Sequence, residues 1–365
     1  MKSLFYRLFA LFFNISRTLF GIKSNKVVLL SPHNASFNDS LGEVKSELEK
    51  RGGYDIGHIS HADFASVPKA IVFFTKKAYL LATAKYVFMN DNFMPLGYLN
   101  FRKEAVIVQL WHAEGAFKKF GLDIEQPADI RAREIAANSK LTYVTCSSTE
   151  VADIYASAFG VDKSKVLPVG SLRADVLLRA DNAEKLRAEF EEKYPQCKGK
   201  KIVLYAPTFR DDPELDKVFL SSFDYSLFEK ELGDTHCLLV RLHPQIHGES
   251  RIDGAIDVTD FKSINDLTLI SDMLITDYSS VCMDFVLLDK PCVFFVPDLD
   301  EYTSGRPFYY DYRSYVPGET AGNTAELVGC IKNAAVSDKA EKFKFINLNM
   351  VDGKSAERLF DIILK

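Results

Sequence analysis

The stretch Leu274-Ile-Thr-Asp-Tyr-Ser-Ser-Val-Cys-Met-Asp-Phe285 indicates the fold of the second half of the chain. An apolar run of strand type leads directly into Thr-Asp-Tyr-Ser-Ser, and a helical pattern follows. Ser279 or Ser280 is placed to cap that helix, which leaves free N–H groups and the positive end of the helix dipole beside two hydroxyls. A helix that begins at the carboxyl end of a strand favours a phosphate site, and a plain capped helix is the alternative interpretation.

Short apolar runs alternate with amphipathic stretches on both sides of this motif. Strands are predicted at 26–31, 70–74, 86–89, 105–110, 143–146, 201–205, 237–242, 273–276 and 292–296, and helices at 41–51 and 150–159. This alternation predicts parallel, doubly wound sheets in an α/β fold. The 365 residues favour two domains at about 150 residues each. A charged segment at 181–200 separates the halves. We expect the two domains to face each other across a cleft, with ligands at the carboxyl ends of the strands.

The composition excludes several classes of function. The formal net charge is −5, so the chain lacks the overall basic character that nucleic-acid binding requires. Neither G-x-G-x-x-G nor G-x-x-x-x-G-K-[ST] occurs, which argues against the usual dinucleotide and P-loop sites. Six cysteines are scattered without a C-x-x-C pair, mostly in apolar runs. We expect reduced, buried thiols in a cytosolic protein, and neither a zinc site nor a disulfide framework.

Residues 1–24 form a distinct N-terminal segment. The longest uncharged run, 8–16, is shorter than the roughly 20 apolar residues that a bilayer span needs. A clear small-residue cleavage site is absent, which disfavours a signal peptide. On a helix, the polar residues gather on one side and leave a wide face of Leu, Phe, Ile and Tyr. This pattern predicts an amphipathic helix on a membrane surface, and docking on the protein's own surface is the alternative.

Two histidines stand at the ends of predicted strands. His112 lies in Val108-Gln-Leu-Trp-His-Ala-Glu-Gly-Ala-Phe-Lys-Lys-Phe-Gly121, before a small-residue loop and paired lysines. His243 has the same position in Leu238-Leu-Val-Arg-Leu-His-Pro244. A His at such a point suits proton transfer near neutral pH, and a ring satisfied by loop backbone is the alternative. The spacing of His243 and His247 would fit a metal on a helix face, but no third ligand accompanies them, so zinc is not predicted.

An arginine ends the strand pattern in Lys201-Ile-Val-Leu-Tyr-Ala-Pro-Thr-Phe-Arg210. The forked donors of a guanidinium suit a phosphate oxygen, which makes Arg210 a candidate phosphate ligand. Pairing of Arg210 with Asp211 or Asp212 is the alternative interpretation.

A second arginine, Arg306, lies among aromatic residues in the segment 297–311. The triplet Asp298-Leu-Asp300 in the same segment has the DxD form of a metal motif found in one class of sugar transferases. A lone DxD triplet is a weak signal, so Arg306 is the better ligand candidate and neither aspartate is assigned to a metal.

Taken in chain order, these motifs resemble those of the CDP-glycerol glycerophosphotransferases, the family of teichoic-acid primases and polymerases. The resemblance covers roughly residues 25–365 and is carried by QLWHAEGAFKKFG, LYAPTFRDD, VRLHP, LITDYSSVCMDF, DLDEYTSGRPFYYD and DGKSAERLFD. The family commonly has W-H-G in the first motif. Ala113 and Glu114 depart from that pattern, which bears on the preferred acceptor more than on the reaction.

The resemblance implies a GT-B architecture of two Rossmann-like domains, at 25–180 and 181–348, with a crossover helix at 349–365. The nucleotide would be held mainly by the second domain. In this family an acceptor hydroxyl attacks the phosphorus that carries a polyol, and CMP leaves. His112 is then expected to be the general base, and His243 is expected at the pyrophosphate. The candidate substrate-binding residues are Lys118, Arg210, Thr276, Asp277, Ser279, Ser280, Asp284 and Arg306.

The resemblance also implies the partners. The donor is CDP-glycerol or CDP-ribitol, which share the CMP half, and the acceptor is a lipid-linked saccharide or polymer. We therefore expect the enzyme at the cytoplasmic face of the cell membrane, and the short chain favours a primase or a small polymerase. No cofactor is predicted, while a divalent metal and a homo-oligomer are left open. The alternatives are a GT-B glycosyltransferase that uses a nucleotide sugar and a non-catalytic lipid-carrier binding protein.

Overall fold

The computed structural model of the protein describes residues 2–33, 37, 39–64, 72–210, 212–243, 245–246 and 251–364. The chain divides into two compact units. The first comprises Met1–Asp175 together with Leu348–Lys365, and the second is the single block Val176–Asn347. Among the described helices, none has both the length and the apolar character of a bilayer span.

A six-stranded parallel sheet forms the centre of the first unit. Its strands are β1 (Lys23–Ser31), β2 (Asp55–Ser60), β3 (Ala84–Met89), β4 (Val106–Gln109), β5 (Tyr143–Cys146) and β6 (Val166–Pro168), in the order β2-β1-β3-β4-β5-β6. The helices of this part are α1 (Lys2–Leu19), α2 (Ser40–Arg51), α3 (Ala78–Ala82), α4 (Ala128–Asn138), α5 (Ala152–Phe159) and α6 (Leu172–Leu178). The strand order reverses between β1 and β3, and ligands of such sheets bind at this kind of reversal.

The second unit repeats this plan. Its strands are β7 (Lys201–Ala206), β8 (His236–Val240), β9 (Ile256–Asp257), β10 (Met273–Thr276), β11 (Cys292–Phe295) and β12 (Glu319–Ala321), in the parallel order β12-β11-β10-β7-β8-β9. The helices are α7 (Ala183–Lys193), α8 (Pro213–Ser221), α9 (Tyr225–Leu232), α10 (Ile264–Ile270), α11 (Val281–Leu287), α12 (Leu299–Gly305), α13 (Tyr312–Tyr315), α14 (Thr324–Lys332) and α15 (Asp338–Leu348), and α16 (Ser355–Ile363) follows in the first unit. Strands β8, β10 and β11 are buried throughout, as expected for parallel strands covered by helices on both faces. The predicted α/β class with two doubly wound sheets is confirmed.

Helix α16 completes the core of the first unit. Phe360 is fully buried in an apolar cluster that includes residues of β1, β3 and β4. The carboxylate of Asp175 accepts the backbone N–H groups of Gly353 and Ser355, at 2.9 and 2.6 Å, and so fixes the segment that leads into the helix. Gly170 has φ +101°, and any side chain there would collide with Ser355.

The N-terminal helix α1 packs on the first unit through its aromatic face. Phe9 and Phe13 are at most 1% exposed, and the Phe9 ring stacks on Phe73 at 4.4 Å. The guanidinium of Arg102 donates to the carbonyl of Arg17 at 2.6 Å. The prediction that this apolar face meets a membrane is therefore wrong for Phe9 and Phe13, because both rings are buried in the protein's own core.

Two sequence-based predictions are wrong. The predicted strand 70–74 is a π-helical turn at Phe73–Lys77 that runs into α3, and residues 70 and 71 lie outside the described part. A short apolar run fits a buried helix as well as a strand, and Phe73 packs against α1. Cys197 and Cys237 form a disulfide across 40 residues, so the expectation of six reduced thiols fails for this pair. The other four cysteines are not disulfide-bonded.

Candidate active site

Three polar side chains meet at the carboxyl edge of the first sheet. His112 follows β4, Asp91 follows β3 and His33 follows β1, and these strands are neighbours in the sheet. The His112 side chain is 49% exposed, and its Nδ1 lies 3.5 Å from Asp91 Oδ2. His33 Nε2 lies 3.9 Å from the other oxygen of the same carboxylate. Sequence reasoning identified His112 and missed Asp91 and His33, although each lies two residues beyond a predicted strand.

The turn that presents His112 has a strained backbone. Trp111 adopts φ +62°, a left-handed conformation that is uncommon for a bulky residue. Its ring contacts Phe120 and Phe159 at centroid distances of 5.3 and 5.1 Å. The buried amide of Gln109 accepts the Trp111 N–H at 3.0 Å and donates to the Asp91 carbonyl at 3.2 Å. The turn is therefore held by packing and by a side chain that bridges β3 and β4.

Glu114 anchors the loop that follows His112. Its carboxylate is 4% exposed, accepts a hydrogen bond from Ser171 at 2.6 Å and is paired with the Arg173 guanidinium. Burial acts to raise the pKa of Glu114, but the charge and hydrogen bonds of Arg173 outweigh it, and the pKa is lowered. Glu114 therefore has a structural role in holding this loop. The predicted ligand Lys118 lies farther along the same loop and is partly buried.

A buried charge network occupies the edge of the second sheet. Arg210, only 5% exposed, donates to Asp277 at 2.7 Å and to Asp298 at 2.9 Å, and also to the Thr208 carbonyl. Its guanidinium lies 3.6 Å from the centre of the Phe219 ring. Burial acts to lower the pKa of Arg210, but the two carboxylates outweigh it and raise the pKa. Arg210 pairs with acids distant in sequence, whereas its predicted partner Asp211 lies outside the described residues.

The TDYSS motif divides into buried and accessible residues. Thr276 and Asp277 are 0% exposed and Asp284 is 3% exposed, so in this structure none of the three faces solvent. The Thr276 hydroxyl donates to the Ala206 carbonyl, and Asp277 accepts the Thr208 and Tyr278 N–H groups. Thr276 and Asp277 therefore serve in this structure to position the strand ends, and Asp284 is buried within α11.

Four predicted site residues of the second unit retain partial exposure: His243, Ser279, Ser280 and Arg306. Ser280 stands at the N-cap of α11 without a capping hydrogen bond from its side chain, while the Ser279 hydroxyl accepts the Val281 N–H at 3.3 Å. The Arg306 guanidinium lies 5.0 Å from the Phe209 ring centre, and the His243 ring lies 4.8 Å from the same ring. Phe209 therefore lies beside both His243 and Arg306.

A cavity of about 380 Å³ opens beside this network, between residues of α8 and α12. Its polar lining is Arg210, Ser222, Asp298, Glu301 and Arg306, and the remaining wall is largely apolar.

The DxD triplet shows no metal-binding geometry. Asp298 accepts Arg210 and the Tyr278 hydroxyl, and Asp300 is exposed in the first turn of α12. Across the described residues, no group of three His, Cys, Asp or Glu side chains is arranged to hold a metal ion. His247 lies outside those residues, so the spacing noted in the sequence has no structural counterpart here.

The chain is similar to several teichoic acid enzymes. The chain is 34% identical over 95% of its length to the teichoic acid poly(ribitol-phosphate) polymerase of Bacillus spizizenii and spans 57% of that protein. It is 32% identical over 96% of its length to the teichoic acid ribitol-phosphate primase of the same organism and spans 94% of it. The solved wall teichoic acid polymerase TagF superposes with a TM-score of 0.76 over 96% of this chain and 93% of its own, at 24% identity, which shows the shared fold.

A match to one protein family covers both units of the chain. Residues 11–365 match the family of CDP-Glycerol:Poly(glycerophosphate) glycerophosphotransferases. That range contains both strand-end histidines, the buried arginine network and the returning helix α16. The chain therefore belongs to the CDP-glycerol:poly(glycerophosphate) glycerophosphotransferase family.

Proposed function

We propose that the protein transfers a polyol phosphate from a CDP-activated donor to a hydroxyl of a teichoic-acid-type acceptor and releases CMP. The observation that carries this proposal is that Nδ1 faces opposite kinds of partner in two strand-end histidines of a chain of this family. His112 faces a carboxylate through Nδ1, whereas His243 accepts a backbone N–H through Nδ1. The two rings therefore favour different tautomers.

His112 has the arrangement of a general base. The Asp91 carboxylate favours a proton on Nδ1, which leaves the Nε2 lone pair to accept a proton. In the proposed reaction the acceptor hydroxyl gives its proton to Nε2 as its oxygen forms a bond to the polyol-bearing phosphorus. The bond from that phosphorus to the CMP oxygen breaks, and CMP leaves with the electron pair.

His243 has the arrangement of a donor to phosphate. The Gln245 N–H donates to its Nδ1 at 3.2 Å, so the neutral ring carries its proton on Nε2. An Nε2–H group suits a pyrophosphate oxygen, and the partly exposed Ser279, Ser280 and Arg306 supply further donors. Because CMP is a good leaving group, we expect catalysis to depend on positioning and charge stabilisation more than on acid catalysis.

A donor panel tests this proposal. CDP-ribitol, CDP-glycerol and a UDP-sugar are each offered with a lipid-linked saccharide acceptor, and nucleotide release and product mass are measured. CMP release with a mass increase of one or more polyol phosphates supports the proposal, and the number of units separates a primase from a polymerase. Because both curated relatives described above are ribitol-phosphate enzymes, we expect CDP-ribitol to be the better donor. UDP release would indicate a glycosyltransferase, and acceptor binding without turnover would indicate a lipid-carrier binding protein.

We propose in addition that α1 holds the protein at a membrane surface, where a lipid-linked acceptor resides. The face opposite the docked aromatics carries Leu4, Leu8, Leu11, Ile15 and Leu19, which are 74, 40, 54, 47 and 69% exposed. Their spacing follows one side of the helix. Burying one such side chain fully contributes about 1.5–3 kcal/mol. These five side chains form an exposed apolar ridge along α1. The exposed Arg7 flanks this ridge and can contact anionic head groups.

Vesicle sedimentation tests the ridge without removing α1, whose Phe9 and Phe13 belong to the core. The variant Leu11→Ser/Ile15→Ser should lose sedimentation with anionic vesicles. The matched control Ile130→Ser/Ile135→Ser replaces two exposed isoleucines on α4 and should sediment as the unchanged protein does. Equal sedimentation of all three proteins would reject the membrane role. A loss of dimer in sedimentation velocity, seen only in the ridge variant, would instead identify an interface between two copies.

A further inference from the structure

We propose that Asp91 is a positioning residue that fixes the tautomer and orientation of the His112 imidazole. We propose further that Gln109 fixes the position of Asp91 relative to His112. This inference rests on the proposed function, in which His112 accepts the proton of the attacking hydroxyl. It gives a role to Asp91, which lies outside the motifs quoted above, and to Gln109, the first residue of the QLWHAEGAFKKFG motif. Both lie at the carboxyl edge of the first sheet, on adjacent strands.

The contact between Asp91 and His112 is specific to one ring nitrogen. Nδ1 lies 3.5 Å from Asp91 Oδ2, within ion-pair range and somewhat longer than a formed hydrogen bond. Such contacts commonly tighten when substrate binds. The other carboxylate oxygen, Oδ1, accepts the Asn92 N–H at 2.7 Å, which limits rotation of the Asp91 side chain. The carboxylate is thereby aimed at Nδ1, and Nε2 is left for the substrate.

Gln109 determines the relative position of the two partners. Its side chain is 1% exposed, its Nε2 donates to the Asp91 carbonyl, and its Oε1 accepts the Trp111 N–H. One rigid amide thus joins the backbone that carries the carboxylate to the backbone that carries the imidazole. The left-handed φ of Trp111 needs such support, because that conformation is unfavourable by itself.

The neighbouring charges leave Asp91 as the principal partner of His112. Glu114, two residues farther along, is neutralised by Arg173. His33 contacts the opposite oxygen of Asp91 at 3.9 Å and is 64% exposed, so it can change the environment of the carboxylate but does not lie between it and His112. During transfer, the proton on Nδ1 stays in place while Nε2 gains the hydroxyl proton. The ionised Asp91 then stabilises the imidazolium.

The first measurement needs no substrate. NMR spectra of the full chain labelled with ¹⁵N-histidine report the tautomer of each ring at a pH where the rings are neutral. The signals of His112 are assigned as those missing from the spectrum of His112→Gln. We expect the unchanged protein to carry the proton on Nδ1. Asp91→Asn and Gln109→Met should each shift His112 toward the Nε2–H form, whereas His33→Gln should leave its tautomer unchanged. A His112 tautomer that is the same in all four proteins would overturn the proposal.

The second measurement is kinetic. Asp91→Asn should lower kcat by roughly 10-fold or more with little change in the KM of the donor, and by less than the ~10²–10⁴-fold expected for loss of a general base. In the His112→Gln background, Asp91→Asn should have no further effect on residual activity, because it acts through the imidazole. Multiplicative losses in the double variant, or a change confined to KM, would contradict a positioning role. If the unchanged protein transfers no polyol phosphate, the proposed function fails, and the tautomer spectra still decide the Asp91 contact.

Discussion

The carboxyl edges of the two sheets carry charged residues in opposite ways. At the first edge, His112 is half exposed and has a carboxylate 3.5 Å from one nitrogen. At the second edge, Arg210 is 5% exposed and is paired with Asp277 and Asp298. Both sheets have six parallel strands and one reversal of strand order. The same architecture therefore presents an exposed imidazole in one unit and a buried, internally paired guanidinium in the other.

This difference separates two kinds of motif residue. Residues such as His112, His243 and Arg306 keep exposed surface and can contact a substrate. Residues such as Arg210 and Asp277 satisfy one another and shape the loops around them. A sequence motif contains residues of both kinds. Burial and hydrogen-bond partners are therefore needed to decide which substitutions should lower activity and which should lower stability.

The largest expected effect is at the first edge. His112→Ala should lower transfer by ~10²–10⁴-fold, because it removes the proposed general base. Donor affinity, measured by titration calorimetry, should stay close to that of the unchanged protein, since the donor is expected on the second unit. The exposed His61 offers a matched control, and His61→Ala should transfer normally. Near-normal turnover of His112→Ala would reject the base role.

At the second edge we expect a loss of stability. Asp277→Ala should lower the free energy of unfolding by about 3–5 kcal/mol, because it leaves the Arg210 charge buried with one carboxylate fewer. Urea unfolding measures the change, and Asp300→Ala, at an exposed position of the same unit, is the control. Unchanged stability together with lost donor affinity would show that Asp277 acts as a ligand, and the comparison between the edges would then fail.

A smaller effect is expected at the accessible residues of the second edge. Arg306→Ala and Ser280→Ala should weaken binding of CMP or of the CDP-activated donor, and loss of a charge-assisted hydrogen bond costs about 1.5–3 kcal/mol. Stability should change little, in contrast to Asp277→Ala. Arg313→Ala replaces another exposed arginine and should bind as the unchanged protein does. Unaltered affinity in both site variants would place the nucleotide elsewhere.

The smallest effect concerns Glu114 and appears only in acid. Its pKa is lowered from the ordinary value of 4.5, because Arg173 outweighs the effect of burial. A carboxyl with a lowered pKa stabilises the folded state above its ordinary pKa, and this contribution is lost as pH falls through the folded pKa. Thermal unfolding between pH 6 and pH 3 should therefore show a steeper loss for the unchanged protein than for Glu114→Gln. Parallel curves would indicate that the pair adds no pH-dependent stability.

The sequence predicts the sheets well and the contacts around the site poorly. Continuous apolar runs identify buried strands such as Tyr143–Cys146 and Met273–Thr276, which the structure reproduces residue for residue. Strand β2, Asp55–Ser60, was missed because glycine and polar residues interrupt its pattern, and the short strands β6, β9 and β12 were missed as well. The Arg210–Asp277 pair spans 67 residues, and the Asp91 contact joins two strand ends. Neither can be inferred from local spacing, because the fold itself brings these residues together.

The discontinuity of the first unit has a consequence for biosynthesis. Residues Met1–Asp175 leave the ribosome first, but the helix that fills their core, α16, begins only at Ser355. The block Val176–Asn347 contains every strand of its own sheet and can complete its core earlier. At a synthesis rate of about 5–20 residues per second, the surface that α16 will cover stays open for roughly ten seconds or more. During translation, therefore, the unit that is made first cannot complete its core until the last of its segments has been made.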